Sequence, residues 1–336
     1  MISLKKITSV LLSAVLAASL TACGGASGAS SGSSGSTSSK GETATLRLAV
    51  QYGLAYAPYA IMQEKGLIEK NYDGDVNVEW TTLNSGSAIN EAFASGQLDV
   101  GAMGIAPAIT GITSGVQYKI YSNVSSIPNK LYTNKADINS LSDIQSTDQI
   151  ALVNVGSIQH LFLAMACEKE LGDAHALDNN IAAMAHPDGM SSLLSGSVAL
   201  HLTSAPYTFQ EDDNADLHEV YDFSTVWPQG NSFIVGLAST SLHDNNPELY
   251  QAVVKATDEA MKFIEENPDE TAEILAKVND KDAETMKDWM SRDGVEYSSK
   301  VGGVITLAKF MDDNDFITNE APGELSAYVY DGVEGD

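Results

Sequence analysis

Short apolar runs alternate with polar stretches of helical period along this chain. Residues 46–50 (Leu-Arg-Leu-Ala-Val) read as a strand, 58–68 as a helix, 76–80 as a strand, 88–95 as a helix and 98–103 as a strand. Alternation at this spacing predicts parallel strands joined by crossover helices. The pattern restarts with a strand at 149–155, a helix at 159–171 and a strand at 198–202. Two α/β lobes are predicted. A strand at 233–238 follows, and the chain then turns helical. Asn246-Pro247 and Asn267-Pro268 each supply an N-cap with proline at the first helical position, and Glu270 gives the second a capping-box-like start. Val301, Val304, Ile305, Ala308 and Met311 recur at helical spacing and predict a last helix over 298–311, ahead of an acidic tail.

A weak internal repeat reinforces the two lobes. The segment from Ala92 to Pro107 ends a helix at Ser95-Gly96, runs a strand, and closes in a small-residue loop before proline. The segment from Ser192 to Pro206 repeats that grammar with its Ser-Gly offset by 100 residues. Glycine after a helix is the expected left-handed C-cap, which accounts for Gly96 and Gly196. The loops that follow carry more information. Gly104-Ile-Ala-Pro107 and Thr203-Ser-Ala-Pro206 sit at strand C-terminal ends, where open α/β sheets bind ligands and small residues let backbone amides approach a solute.

The N-terminus sets the compartment. Lys5 and Lys6 precede an apolar run from Ile7 to Leu20, the layout of a secretory signal, and the run is shorter than the ~20 residues a membrane span needs. Leu20-Thr21-Ala22-Cys23 is a lipobox by pattern, so 1–22 is expected to be a lipoprotein signal peptide and Cys23 the lipidated residue. Residues 24–39 contain only Gly, Ala, Ser and Thr, which cannot bury enough apolar surface to offset ordering. Segment 23–44 therefore reads as a lipidated cysteine plus a leash with a mean reach of roughly 20 to 25 Å. With Cys23 acylated, Cys167 has no disulfide partner and reads as a small buried hydrophobe.

Charge narrows the partners. Asp and Glu number 45 against 18 Lys and Arg, and loss of Lys5 and Lys6 takes the net charge from −27 to −29. Nucleic acid is excluded as a partner, since its binding rests on Lys and Arg contacts to phosphate. The acidic surface keeps an extracytoplasmic protein soluble and is consistent with a monomer. The six histidines show no metal-ligand spacing, so no metal or cofactor is implied.

Four segments, Tyr52 to Leu67, Ala94 to Pro107, Asn154 to His160 and Ser195 to Pro206, together resemble the solute-binding lipoproteins of ABC importers. More narrowly they resemble the nitrate/sulfonate/taurine group and its pyrimidine-precursor relatives. The resemblance implies a two-lobed periplasmic-binding-protein fold, type II-like, each lobe a mostly parallel sheet flanked by helices with ligand in the interlobe cleft. It implies lobe 1 over 45–127, lobe 2 over 128–227 and a return to lobe 1 with C-terminal helices over 228–336, with hinge closure around the solute. An ABC permease subunit would be the protein partner, and the location extracytoplasmic, lipid-anchored to the bacterial cell membrane.

Carried over by position, the resemblance places Gln51, Tyr52, Gly53 and Tyr56 at the cleft, although Tyr56 also suits packing at a helix start, and Tyr59 is left to the core. Gly104, Ile105 and Ala106 form a second cluster, offering backbone N–H groups or simply a tight turn. Gly156, Ser157 and Gln159 form a third; Ser157 is by type an ordinary N-cap. Thr203, Ser204, Ala205 and Tyr207 form a fourth, with Trp227 and Asn231 near the return crossing. None of these loops brings a lysine or arginine, which argues against a small inorganic anion and for an uncharged or weakly charged organic solute, heterocyclic or sulfonate-like. An enzyme of pyrimidine-precursor synthesis would need an assembled nucleophile and base, which these segments lack. A sensor that uses the same fold without a permease fits the sequence as well as an importer component does.

Overall fold

The computed structural model describes residues 43–336, and Cys23 with the Gly/Ser stretch lies outside them. The described residues belong to one compact unit that contains two five-stranded sheets. The first lobe opens with strand β1 (Ala44–Val50), helices α1 (Ala57–Lys65) and α2 (Leu67–Asn71), β2 (Val76–Thr82) and α3 (Gly86–Ala94). It continues through β3 (Val100–Gly104), α4 (Ile105–Thr113) and β4 (Tyr118–Ser125). The second lobe holds β5 (Asn129–Thr133), β6 (Ile150–Leu152), α5 (Ile158–Leu171), β7 (Ile181–Ala183), α6 (His186–Leu194), β8 (Leu200–Ser204), α7 (Tyr207–Asp212) and β9 (His218–Asp222). The return brings β10 (Ile234–Ser239), α8 (Thr240–Asn245), α9 (Pro247–Glu266), α10 (Pro268–Asn279), α11 (Ala283–Ser291) and α12 (Val304–Asp313).

The two sheets share one plan. Their orders are β2-β1-β3-β10-β4 and β7-β6-β8-β5-β9. In each, parallel strands pair on one side and a strand newly arrived from the other lobe is inserted antiparallel, β10 against β3 and β4, β5 against β8 and β9. The interior strands β3, β8 and β10 are buried along their whole length, as strands covered by helices on both faces must be. The repeat read from sequence holds for the elements too: α3 and α6 begin at 86 and 186, and β3 and β8 span 100–104 and 200–204.

The described elements depart from the sequence reading in several places. The helix predicted over 58–68 is broken at Gly66 into α1 and α2. The helix predicted over 298–311 starts only at Val304, because Gly303 sits at φ 76 and Val301 pairs as an isolated bridge with Gly335. Asn246 does cap α9, its side chain accepting from the Leu249 N–H at 3.1 Å, but Asn267 makes no side-chain cap on α10 and donates to the Phe263 carbonyl instead. Glu270 pairs with Lys65 rather than closing a capping box. The acidic tail is not simply solvated: Tyr328, Val329 and Tyr330 are buried, and Val329 bridges to Ile120 of β4.

The core explains why the C-terminal helices stay with the first lobe. Leu249, Val253, Ala256, Ala260 and Ile264 form one buried stripe of α9, which lies against α1 and α2. Full burial of each Leu, Val or Ile contributes about 1.5–3 kcal/mol. Tyr59 is 1% exposed, its hydroxyl 2.7 Å from that of Tyr121, and Cys167 is fully buried with burial pushing its thiol up to about 12.

Candidate functional site

The cleft lies between the C-terminal ends of the strands of both sheets, and its position follows from where helices start. Four helices open onto it: α3 with Gly86, α4 after Gly104, α5 with Ile158 and α6 with His186. Each start has a local cause. Ser85 caps α3 by accepting from the Ala88 N–H at 3.2 Å, and Ser157 caps α5 by accepting from the His160 N–H at 3.2 Å. Pro187 fixes the first turn of α6. Two helix starts come from each lobe, so the partial positive ends of four helices surround one space.

In this closed arrangement the space is narrow, a cavity of about 40 Å³ with room for a few water molecules. From the first lobe Gln51, Tyr52, Tyr56 and Gly104 line it, and from the second Ser157, Gln159 and Ser204 do. No Lys, Arg, Asp or Glu is among the lining residues. Tyr52 is half exposed at the mouth, whereas Tyr56 is buried and burial keeps its hydroxyl protonated.

The other residues read from sequence stand elsewhere. The Ile105 N–H is not free for a solute; it donates to the Phe233 carbonyl at 3.0 Å, and the side chains of Ile105 and Ala106 are fully buried. The Gly156 N–H is likewise spent, on His160 Nδ1 at 3.0 Å. Gly53 and Ala205 form part of the contact between lobes, where the Leu54 N–H donates to the Ala205 carbonyl at 3.2 Å. Tyr207 lines a groove on the outer side of the 51–56 loop, with its ring 5.7 Å from that of His186. Trp227 is behind the cleft, its ring 5.8 Å from Phe162 and its Nε1 donating to the Ser232 carbonyl, and Asn231 packs against Gly302 and Gly303 beside it.

The structure adds Asn84, Gly86, Pro107, His186, Phe233 and Ile234 to the lining. His186 and Gly86 were legible in principle. They are the same position of the 100-residue repeat, each the first residue of its helix. His186 is 7% exposed, and burial, with the neighbouring His201 adding to it, holds its imidazole down to about 3. It is a neutral hydrogen-bonding group at ordinary pH. Gln159 reaches from α5 to within 3.4 Å of His186 Nε2 and of Asn129 Oδ1.

The lobes touch across the cleft. A methyl group on Gly104 would lie 2.7 Å from Ile158 of the other lobe, and only glycine permits that approach. Arg292, just after α11, donates to Asp213 Oδ2 at 3.0 Å and lies 4.8 Å over the Phe209 ring, both beyond the cleft on the second lobe. On another side His175 donates to the Asn314 carbonyl at 2.8 Å. The arrangement is a closed pair of lobes around an uncharged, concave space lined by apolar side chains such as Ile158 and Phe233 as well as polar ones.

Comparison with known proteins accords with this geometry. The model of a family described as NMT1-like matches residues 39–279. An alkanesulfonate-binding protein from Xanthomonas axonopodis pv. citri, solved bound to MOPS, is 15% identical with a TM-score of 0.73, covering 86% of this chain and 99% of that one. The periplasmic aliphatic sulphonate binding protein from Escherichia coli is 18% identical with a TM-score of 0.66, covering 87% and 94%. A periplasmic nitrate-binding protein from Synechocystis PCC 6803 is 16% identical with a TM-score of 0.61, covering 74% and 70%. No curated protein sequence matches significantly. The likeness fixes the fold: it is the two-lobed periplasmic-binding-protein fold expected from the sequence.

Proposed function

Because the chain belongs to the NMT1-like family, we propose that it is the solute-capturing component of an ABC importer. It takes a small organic solute, heterocyclic or sulfonate-like, in the cleft and hands it to a permease. Lipid on Cys23 tethers it outside the bacterial cell membrane. The observation that carries this reading is the convergence of four helix starts, two from each lobe, on a closed cleft with no charged lining residue. Such a site holds a solute through neutral donors, backbone dipoles and aromatic faces, and the solute in turn holds the lobes together.

In this reading Tyr52 and Tyr56 flank the solute, Gln51, Ser157, Gln159 and Ser204 hydrogen-bond it, and Gly104 keeps the backbone close. A thermal-shift screen of sulfonates, pyrimidines and aromatic acids tests it. A true solute at a hundredfold excess over its dissociation constant stabilises the protein by about 2.7 kcal/mol. Silence across all three classes would sink the proposal as to solute class. Mass spectrometry of membrane fractions tests the tether: the intact protein should carry a diacyl mass that Cys23→Ala removes.

A further inference from the structure

Away from the cleft, one side chain joins the lobes through both of its ring nitrogens. His175 stands in the second lobe, in the turn after α5, with Nδ1 2.7 Å from Asp178 Oδ2 and Nε2 2.8 Å from the Asn314 carbonyl oxygen. Asn314 ends α12, which packs against α4 of the first lobe. Two residues on, the Phe316 ring lies 4.5 Å from the imidazole of His175, tilted by 30°, and 5.3 Å from that of His160, edge on. The carboxylate behind His175 is fixed in turn. His160 Nδ1 accepts from the Gly156 N–H at 3.0 Å, so its hydrogen is on Nε2 and goes to Asp178 Oδ1 at 2.9 Å. A continuous line therefore runs from the Asn314 carbonyl through His175, Asp178 and His160 to Gly156, beside the cleft-lining Ser157.

These partners decide the protonation state. A carbonyl and a carboxylate only accept, so both nitrogens of His175 must donate, and only the imidazolium does that. A neutral imidazole has one hydrogen. The carboxylate is the stronger acceptor for it, which leaves a bare Nε2 against the Asn314 carbonyl. The bond that fails on deprotonation is thus the one between the lobes. The Phe316 contact weakens with it, because an aromatic face attracts a cation more than a neutral ring. The surrounding groups act in the same sense. On its own lobe His175 has Asp178, His160 and Asp173, whose Oδ1 accepts from the His175 backbone N–H, and near them the buried thiol of Cys167, which keeps its hydrogen. On the first lobe Asp312, Asp313 and Asp315 flank Asn314; Asp313 is bonded to Lys309, and Asp312 accepts from the Ala321 N–H. The bonds to Asp178 and to the Asn314 carbonyl hold His175 above the ordinary 6.5.

We propose that His175 is a protonation-dependent clasp: as the imidazolium it holds the 314–316 turn of the first lobe against the second and favours the closed cleft, and once its proton has gone to water the lobes part more readily. The linkage has a definite sign. His175 holds its proton more tightly in the closed form, so closure is helped in full below the midpoint of the open form, and the help is lost as pH rises through the midpoint of the closed form. By reciprocity, whatever closes the lobes raises the His175 midpoint. The clasp is partly solvated, so it should change the closed-to-open ratio by roughly 2- to 10-fold, enough to bias a hinge and too little to lock it. The far end of the line is the loop that presents Ser157, so the clasp bears on the cleft wall itself.

The clasp concerns the hinge and needs no solute, so it is tested on the empty protein and stands or falls apart from the solute-binding reading. In the full chain labelled with 15N-histidine, a pH titration should show His175 with hydrogen on both nitrogens at the acid end and a midpoint above 6.5. A midpoint at or below 6.5 overturns the clasp. X-ray scattering then reads the hinge. The radius of gyration of the unmodified protein should rise between pH 6 and pH 8.5 and follow the titration of His175. In His175→Gln, which keeps one amide donor at every pH and never carries charge, the radius should not change over that range. Scattering profiles of the unmodified protein that coincide at the two pH values overturn the proposal, and so does a rise that His175→Gln shows equally. If His175→Gln fails to fold, the titration and the scattering of the unmodified protein still decide, since a rise that does not follow the His175 midpoint belongs to another group and overturns the clasp.

Discussion

At the scale of single residues, Gly104 and His186 line the cleft from opposite lobes, and only the first showed in the sequence as more than a turn. Gly104 was legible because it ends a strand in a small-residue loop; its reason is the Ile158 side chain of the other lobe, which no local pattern contains. Its φ of −55 suits alanine, so Gly104→Ala strains nothing within its own lobe and acts only on closure. Overpacking of about 1–3 kcal/mol there should weaken solute binding by roughly 5- to 150-fold with little change in the melting temperature of the empty protein. Titration calorimetry beside a melting curve checks it. A lone histidine before proline reads as a helix start, and matching His186 to Gly86 in the repeat is what places it at the cleft wall. Behind it stand the buried His201 and Glu211, and the three also shape stability against pH. Both histidines have folded pKa values near 3, below the ordinary 6.5, so their contribution is full above 6.5 and is lost as pH falls through the window to 3. Glu211 is shifted the other way, from 4.5 to about 9, so its contribution is full below 4.5 and is lost as pH rises toward 9. Between 4.5 and 6.5 the two histidines outweigh the one acid, and above 6.5 the acid acts alone. Denaturant melts should therefore show stability from this trio peaking near pH 6.5, with the alkaline decline flattened in Glu211→Gln; an unchanged alkaline limb in a folded variant contradicts it.

At the scale of elements, legibility tracked apolar runs and alternation rather than burial: the partly exposed edge strand β2 was legible, whereas β4, buried at all but one residue, was not. The strands that read as continuous apolar runs, β1, β3, β8 and β10, are the ones buried at the sheet centres or beside them. Strands β7 and β9 were missed because each is short and only partly buried, so neither length nor alternation marks it. The inserted strand β5 was missed for another reason. Its residues Asn129 to Thr133 are mostly polar by type and are buried by pairing on both sides, a fact of topology rather than of pattern. Capping shows the same limit. Asn246-Pro247 and Asn267-Pro268 are alike as text, yet only Asn246 accepts from its helix. Asn246→Ala should accordingly cost about 1 kcal/mol and Asn267→Ala only a few tenths. In a chain of this size the first should lower the melting temperature by roughly 2–4 °C per kcal/mol while the second is hardly seen. Equal losses in the two variants, measured side by side by calorimetry, would show that the observed difference in capping has no energetic weight.

At the scale of the whole molecule, the lobes are drawn together by contacts that lie far apart in sequence, which is why closure was expected from resemblance and not from residues. The segment from Lys281 to Phe316 supplies most of them although it follows the last strand of the first lobe. Lys281 donates to Gln210 at 3.3 Å, Trp289 packs 6.5 Å from the Phe209 ring, and Arg292 reaches the Phe209 carbonyl, its ring and Asp213. On another side the Phe316 ring lies 4.5 Å from that of His175. These straps are partly solvated, and an exposed ion pair or cation–aromatic contact contributes only about 0–1 kcal/mol. That small size suits a protein that must open to release what it holds, because a strap worth many kcal/mol would keep the lobes shut whether or not a solute were bound. Arg292 is the strongest single strap, since it alone combines a charge partner, a carbonyl and a ring. Arg292→Ala should leave the fold and melting temperature nearly intact, shift the empty protein toward a larger radius of gyration in X-ray scattering, and raise the solute dissociation constant by roughly 2- to 10-fold through faster release. Scattering profiles that coincide for the two proteins, with and without solute, would mean that Arg292 decorates a closure set elsewhere, at Leu54 and Gly104 along the cleft itself.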